Sequence, residues 1–239
     1  IDIRVSTLPT IFWEKVVMRI LRQDESLINL ESIWLHDINL EKVKGVLESK
    51  YGIILVAWPT GSWKSTTLFS ILKDFNPLEY NISTLEDPVE YNIDFVNQSQ
   101  IKPEIWYTFA SGLRSLVRQD PDIIMVWEIR DKETALLSIE AALTGHLVLS
   151  TIHTNSASAT IQRLINMGIE PFLIASALKM VISQRLVKKI CHHCKAPHPI
   201  DDFTKAKVKK ELSDIMESND IDELEFYKWT GCSECKHTG

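Results

Sequence analysis

Between residues 50 and 187, short apolar runs alternate with longer amphipathic stretches. The apolar runs have the length and composition of buried strands, and four stand out, at residues 52–57, 81–85, 122–126 and 146–151. The stretches between them carry helix signals, such as a capping Asp131 and a closing Gly168, and predict helices at residues 64–73, 108–119, 132–143, 155–167 and 171–187. This alternation predicts an α/β domain with a largely parallel sheet.

The two ends of the chain do not continue this alternation of strands and helices. Residues 1–20 predict one or two strands, and residues 21–50 are polar and rich in helix formers. After Val187, two pairs of cysteines bracket a charged stretch at 201–218 that predicts a helix. We therefore expect three segments, at residues 1–30, 31–190 and 191–239, and a chain that lacks sequence at both ends.

Composition narrows the class of protein. Apolar residues make up 45% and charged residues 24% of the chain, as in ordinary soluble domains. The net charge of −6 gives no reason to expect direct nucleic-acid binding. We find no apolar run of the roughly 18 residues that a membrane span needs and no secretory signal, so a cytoplasmic protein is expected.

A phosphate-binding loop is suggested after the first apolar run. The chain continues there as Trp58-Pro59-Thr60-Gly61-Ser62-Trp63-Lys64-Ser65-Thr66. This is the spacing of G-x-x-x-x-G-K-[ST] between a strand and a helix, with tryptophan at both glycines. In such a loop the backbone N–H groups cradle phosphate, Lys64 reaches the β- and γ-phosphates and Ser65 holds Mg²⁺. The alternative is an ordinary strand-to-helix turn.

Carboxylates follow two further predicted strands. Glu128 lies after the run 122–126, where a carboxylate suits Mg²⁺ positioning or activation of the attacking water. Glu86 and Asp87 follow the run 81–85, at the edge where open α/β sheets bind ligands. Considered alone, the second pattern fits a solvated acidic turn better than a ligand site.

Two histidines lie at the two ends of one predicted strand. His146 is the first residue of the predicted strand, and His153 lies just beyond its end. Isolated histidines at strand ends are more often surface or core residues than ligands, so both interpretations stay open.

All four cysteines fall in two C-x-x-C pairs, Cys191 with Cys194 and Cys232 with Cys235. Thiolates at this spacing suit a tetrahedral structural Zn²⁺. Disulfides are the alternative, and the absence of a secretory signal argues against them. A zinc-dependent enzyme is disfavoured, because four thiolates leave no open coordination position.

Taken in order, these segments resemble the type II secretion and type IV pilus assembly ATPases over nearly the whole chain. Residues 58–66 stand where the family has its Walker A loop, and Glu86-Asp87-Pro88-Val89-Glu90 resembles its aspartate box. Residues 112–131 resemble the segment that leads into its Walker B motif, which ends at Glu128-Ile129-Arg130-Asp131. Residues 144–155, with His146 and His153, resemble its histidine box, and the cysteines match its export and assembly branch.

The resemblance implies a P-loop NTPase with a RecA-like core over residues 31–190. Residues 1–30 would end an N-terminal α+β domain, and residues 191–239 would form a small zinc-binding subdomain. It also implies a homo-hexamer that hydrolyses ATP with Mg²⁺, lies peripherally on the inner membrane, and drives a platform protein and other secretion or pilus components. Glu86 and Glu128 would position Mg²⁺ and activate water, while Arg4 and Arg19 would stabilise the γ-phosphate.

Tryptophan stands at six positions where this family typically has glycine, and Trp229 is a candidate for a seventh. The six are Trp13, Trp34, Trp58, Trp63, Trp106 and Trp127. An indole at position 63 is expected to fill the phosphate site, because glycine lets the backbone approach the phosphates. The chain has 8 glycines, against roughly 17 expected for its length.

Three explanations compete for these tryptophans. The chain is a non-hydrolysing structural or regulatory subunit, or it is an engineered variant. The third explanation is that UGA codons, which encode glycine in some bacterial lineages, were translated with a table that reads them as tryptophan. We favour the codon explanation, since Lys64, Ser65, Glu86 and Glu128 are retained where loss of function should have eroded some of them.

Overall fold

The computed structural model describes residues 2–21, 30, 37–57, 64–185, 187, 189–213 and 224–239. The chain divides into two compact units, residues 1–185 and residues 186–239. No helix within the described ranges is both long enough and apolar enough to cross a membrane.

The first unit begins with a hairpin of its own. Strands β1 (Asp2–Pro9) and β2 (Glu14–Leu21) pair in antiparallel register, and that register sets Arg4 opposite Arg19. The main sheet follows and contains six parallel strands in the order β5-β4-β6-β7-β3-β8. Their bounds are β3 Gly52–Ala57, β4 Ile82–Glu86, β5 Asn97–Gln100, β6 Ile123–Val126, β7 Leu147–Ile152 and β8 Leu178–Ser183.

The described part of the first unit contains six α-helices. Their bounds are α1 Asp37–Leu47, α2 Lys64–Lys73, α3 Phe109–Leu116, α4 Lys132–Leu143, α5 Ala157–Asn166 and α6 Pro171–Ala177. Side-chain caps begin three of them as the sequence indicates: Thr108, Asp131 and Ser156 each accept the backbone N–H three residues on. The predicted α/β fold with a largely parallel sheet is confirmed.

Helices cover both faces of this sheet, which is why its inner strands are rich in apolar residues on both faces rather than alternating. Every residue of β3, β4, β6 and β7 is buried. Along β3, Ile53 and Leu55 belong to the cluster that includes Leu113 of α3, while Ile54 and Val56 belong to the cluster that includes Phe69 of α2.

The helix predicted from Pro171 to Val187 is wrong in its second half. Helix α6 ends at Ala177, and residues 178–183 form β8 along the free edge of β3. The apolar residues there recur at a helical spacing, so periodicity alone could not separate the two states. Pairing with the unpaired edge of β3 decides the outcome, and Val181 and Ile182 favour a strand.

The second unit has little apolar core. Strands β9 (Lys195–Pro197) and β10 (Tyr227–Trp229) pair in antiparallel register, and helix α7 (Asp202–Leu212) begins at an Asp201 cap. Among the described residues of this unit, Cys194 alone is buried. A unit of this kind needs a cross-link or a metal to hold it together.

Trp106 has a backbone conformation that suits glycine. It follows a short 3₁₀ turn, Pro103–Ile105, at φ 62° and ψ 14°, in the left-handed region. Its side chain is 86% exposed, so little packing compensates the strain. A bulky residue at positive φ is an outlier that costs about 1–3 kcal/mol.

We expect Trp106→Gly to raise the free energy of unfolding by about 1 kcal/mol, because glycine removes the left-handed strain. Chemical denaturation measures the change. Trp13→Gly is the matched control, since Trp13 is 85% exposed and is not among the residues at positive φ. Equal effects of the two substitutions would contradict the explanation by backbone strain.

Candidate functional site

The candidate side chains converge at one edge of the main sheet. Strands β4, β6 and β7 are neighbours and parallel, so their carboxyl ends meet at the same edge. Glu86 ends β4, Glu128 lies two residues beyond β6, and His153 follows β7 directly. Strand β3, next to β7, also ends there before Lys64 begins α2.

Glu86 is completely buried. Its Oε1 accepts hydrogen bonds from Thr84 Oγ1 at 2.6 Å and from Gln98 Nε2 at 2.9 Å. Its Oε2 is buried and accepts no hydrogen bond from any residue the structure describes. Burial raises the pKa of Glu86 above the ordinary value; the bonds from Thr84 and Gln98 oppose this rise, and Glu90 acts in both directions, since its charge raises the pKa and its backbone N–H lowers it.

Glu128 is almost as buried, and two basic side chains lie against it. Arg130 Nε donates to Glu128 Oε2 at 2.7 Å. His153 Nε2 lies 2.5 Å from Glu128 Oε1, at ion-pair distance but without the alignment of a hydrogen bond. Arg130 also reaches Asp87, with 3.8 Å between Nη1 and Oδ2. Thus Asp87, Glu128, Arg130 and His153 form one charged network.

The second histidine lies at the opposite end of the sheet. His146 precedes β7, and its Nδ1 contacts Ala141 O at 2.9 Å and Thr144 Oγ1 at 3.3 Å. It closes the carboxyl end of α4. The six residues of β7 separate it from His153 by roughly 20 Å, so the structure brings only His153 to the candidate site.

The predicted phosphate loop lies partly outside the described residues. Trp58, Pro59, Thr60, Gly61, Ser62 and Trp63 are not described, and Lys64 and Ser65 are placed only as the first residues of α2. Thr66 is buried. Thr67 Oγ1 donates to Gln184 Oε1 at 3.0 Å, which ties the first turn of α2 to the segment after β8.

Trp127 lies beside Glu86 in the sheet. Leu85 pairs with Val126, and the next residue, Trp127, donates its N–H to Leu85 O. Its indole packs near Phe69 of α2, with ring centroids 6.1 Å apart. This side chain occupies the α2 face of the sheet at the edge where Glu86 ends β4.

Sequence analysis missed Thr84 and Gln98, the two donors to Glu86. Thr84 carried a signal, since it is a hydroxyl two residues before the acid on the same face of a buried strand. Gln98 carried none, because the β5 sequence Asn97-Gln98-Ser99-Gln100 has no apolar residue to mark it as a strand.

The four cysteines form a compact cluster in the second unit. Their Sγ atoms all lie within 4.8 Å of one another. The Sγ–Sγ distances are 3.8 Å for Cys191–Cys232, 3.8 Å for Cys194–Cys235 and 3.6 Å for Cys232–Cys235. These separations are far longer than a disulfide bond of about 2.05 Å. They match the edges of a tetrahedron of thiolates around one metal ion with bonds of about 2.3 Å.

Two thiols of this cluster have pKa values that are shifted in opposite directions. Hydrogen bonding with the Cys232 backbone lowers the pKa of Cys235 to about 6. A backbone hydrogen bond with Cys235 also lowers the pKa of Cys232, but burial and the neighbouring thiols outweigh it and raise that pKa to about 11. A bound cation replaces these protons, so metal affinity is expected to increase with pH.

The sheet order and its acidic carboxyl edge define a P-loop ATPase core. The fold is similar to the crystal structure of the pilus retraction motor PilT with bound ADP, with a TM-score of 0.64 and 35% identity. That likeness covers 80% of this chain and 57% of PilT. It is also similar to the ATPase DotB of Legionella pneumophila, with a TM-score of 0.63 and 26% identity over 77% of this chain and 53% of DotB.

The chain belongs to the family described as Type II/IV secretion system protein, which it matches over residues 1–239. It is 46% identical to the type II secretion system ATPase E of Vibrio cholerae, covering 100% of this chain and 46% of that protein. It is 47% identical to the type IV pilus assembly ATPase PilB of Thermus thermophilus, covering 100% of this chain and 26% of that protein. The chain thus spans less than half the length of both relatives.

We expect Glu86→Gln to stabilise the protein at neutral and alkaline pH. A raised pKa means that the folded state favours the protonated acid, so stability is lost as pH rises through the folded-state pKa. The amide has no such loss, and the gain should vanish below the ordinary pKa of about 4.5.

Urea denaturation at several pH values tests this expectation. Glu140→Gln, at an exposed position of α4, is the control and should change stability little at any pH. A gain for Glu86→Gln that is the same at every pH would show that burial of the charge is not the cause.

Proposed function

We propose that this chain is the ATP-hydrolysing part of a motor that powers type II protein secretion or type IV pilus assembly. The observation that carries the proposal is that Glu86 and Glu128 both lie at the carboxyl edge of the sheet, the edge at which β3 also ends. The names of the relatives, an ATPase of type II secretion and an ATPase of type IV pilus assembly, supply the process.

Glu86 is the better candidate for the general base. Its Oε2 is free of hydrogen bonds from described residues, while Oε1 is fixed by two donors, so one oxygen is available to take a proton from the attacking water. The raised pKa of Glu86 moves it towards the range in which a base works at neutral pH.

Glu128 suits a different task. Arg130 and His153 already hold its two oxygens, and Asp87 extends the network. Such a carboxylate suits the water ligands of the Mg²⁺ that accompanies ATP, an ion that neutralises charge on the phosphates. Lys64 and Ser65, at the first turn of α2, fit the phosphate and Mg²⁺ contacts.

A complete site in this proposal needs more than one chain. Arg4 and Arg19, paired in the hairpin, would stabilise the γ-phosphate in a homo-hexamer with nucleotide near the subunit borders. The hexamer would act peripherally on the inner membrane, from the cytoplasm, on a platform protein and other secretion or pilus components. Residues 31–190 would form the ATPase domain between the segments 1–30 and 191–239.

The tryptophans decide whether ATP can enter. We propose that glycine stands at positions 13, 34, 58, 63, 106 and 127 in the protein that the cell makes. Trp106 supports this, because its backbone has the left-handed conformation that glycine adopts without strain. Trp127 supports it as well, since its indole lies at the edge of the sheet that the nucleotide needs.

We expect Glu86→Gln to lower kcat for ATP hydrolysis by about 10²–10⁴-fold, because the base is lost, with ATP affinity retained. Glu128→Gln should instead raise the Mg²⁺ concentration required for half-maximal rate. Steady-state kinetics of the protein purified from its native host, with Mg²⁺ titrated, measures both effects.

The intact mass of the same sample is the control. Glycine at the six positions with no Mg²⁺-dependent hydrolysis would contradict the proposed function. Tryptophan at positions 58 and 63, also without hydrolysis, would make the chain a non-hydrolysing structural or regulatory subunit of the hexamer.

We also propose that the cysteine cluster holds a structural Zn²⁺. Cys191, Cys194, Cys232 and Cys235 supply the four thiolates of a closed tetrahedral site. The unit around them has no buried apolar core among its described residues, so the ion would supply the cohesion that the side chains lack.

About one zinc per chain is expected by metal analysis, and Cys232→Ser should lower that content, because three thiolates bind more weakly. A strong chelator should make residues 186–239 sensitive to protease and leave the parallel sheet folded. Full protease resistance of a metal-free sample would contradict the structural role. Ser233→Ala, between two ligands, is the control and should keep the zinc.

A further inference from the structure

Gln98 is a polar residue of the edge strand β5 with every group of its amide engaged except one lone pair. Its Nε2 donates to Glu86 Oε1 at 2.9 Å and to Tyr91 O at 2.8 Å. Its Oε1 accepts the Ile93 backbone N–H at 2.7 Å. The parallel register places it opposite Thr84, the other donor to Glu86.

The orientation of this amide is fixed by chemistry. The Ile93 N–H only donates, so it must face the amide oxygen of Gln98. The NH₂ group then has to face Glu86 and the carbonyl of Tyr91, which both accept. Flipping the amide would set a donor against a donor and acceptors against acceptors.

We propose that Gln98 is a positioning residue that fixes Glu86 so that Oε2 is presented to the reacting water. This inference rests on the proposed function of Glu86 as the base. Thr84 and Gln98 together hold Oε1, and a carboxylate held by one oxygen from two directions cannot rotate its other oxygen away.

The same amide couples Glu86 to the segment after β4. Residues 87–96 include Asp87, which contacts the Arg130 network, and both Tyr91 and Ile93 are bound by Gln98. A shift of that segment therefore moves the amide that holds Glu86. Gln98 thus sets the position of the base and of the acidic segment beside it with one side chain.

Gln98→Glu tests this role with little change of size. The new carboxyl group still accepts from Ile93, but it loses the donor to Glu86 and sets an acid against an acid. We expect kcat to fall by about 10–100-fold, as for other small misplacements of a reacting group, with KM changed less than about twofold. The acidic limb of the kcat–pH profile should move to higher pH.

A stability measurement gives a readout that does not need turnover. Gln98→Glu should destabilise the protein more at pH 8 than at pH 5, because it removes a donor from the ionised Glu86. In a Glu86→Gln background this pH dependence should become smaller, and what remains is the titration of the new acid at position 98 itself. The other titratable or charged residues at this edge are Asp87, Glu90, Glu128, Arg130, His153 and Lys64, and they are present in every variant.

Asn97→Asp is the matched control. It is the same amide-to-acid change one residue earlier on β5, where the amide bonds Asn81 instead, so kcat and its pH profile should stay unchanged. A kcat for Gln98→Glu equal to that of wild type, or a loss with an unmoved pH profile and pH-independent destabilisation, would overturn the proposal. If wild type with glycine at positions 58 and 63 shows no hydrolysis, the proposed function has failed, and the stability cycle alone decides the role of Gln98.

Discussion

The buried carboxyl group of Glu86 determines which residues must lie around it at the carboxyl edge of the sheet. An ionisable group removed from water is destabilising unless hydrogen bonds replace the lost hydration. Thr84 supplies one bond from the same strand, but a second donor requires another strand alongside β4. The short polar strand β5 meets that need, because its pairing with β4 brings Gln98 beside Glu86. An edge strand without apolar residues is thereby explained by the acid that it supports.

Two buried carboxylates a strand apart face different surroundings, and their chemistry should differ accordingly. Glu128 contacts two basic side chains, Arg130 and His153. Glu86 contacts only neutral donors and keeps an oxygen free of bonds from described residues. Under the proposed function, this difference suits Glu128 to charge balance beside Mg²⁺ and Glu86 to proton transfer.

Much of the fold could be predicted because burial on both faces leaves an unambiguous pattern. The runs that became β3 and β6 were apolar throughout, those that became β4 and β7 carried an apolar majority, and the ends of all four were right to within a residue. Strand β8 was mistaken for helix because its place is decided by the open edge of β3, a long-range contact that periodicity does not contain. The placement of Glu86 and Glu128 followed from parallel strands ending at one edge, whereas the bond from Gln98 depends on a pairing that only the folded chain reveals.

The positions that do have glycine help to decide among the explanations for the tryptophans. Gly168 has φ +85° at the end of α5, and a Cβ on Gly112 would lie 2.9 Å from Leu85 Cδ2. Glycine stands at these two sites, where the backbone conformation or the packing calls for it. Trp106 stands at an equally demanding left-handed position, where a bulky residue adds strain and, at 86% exposure, gains little packing. Adaptation to a non-hydrolysing role gives no reason to place tryptophan in a strained turn, whereas a change in codon meaning acts without regard to backbone conformation. The backbone of Trp106 therefore favours the codon explanation.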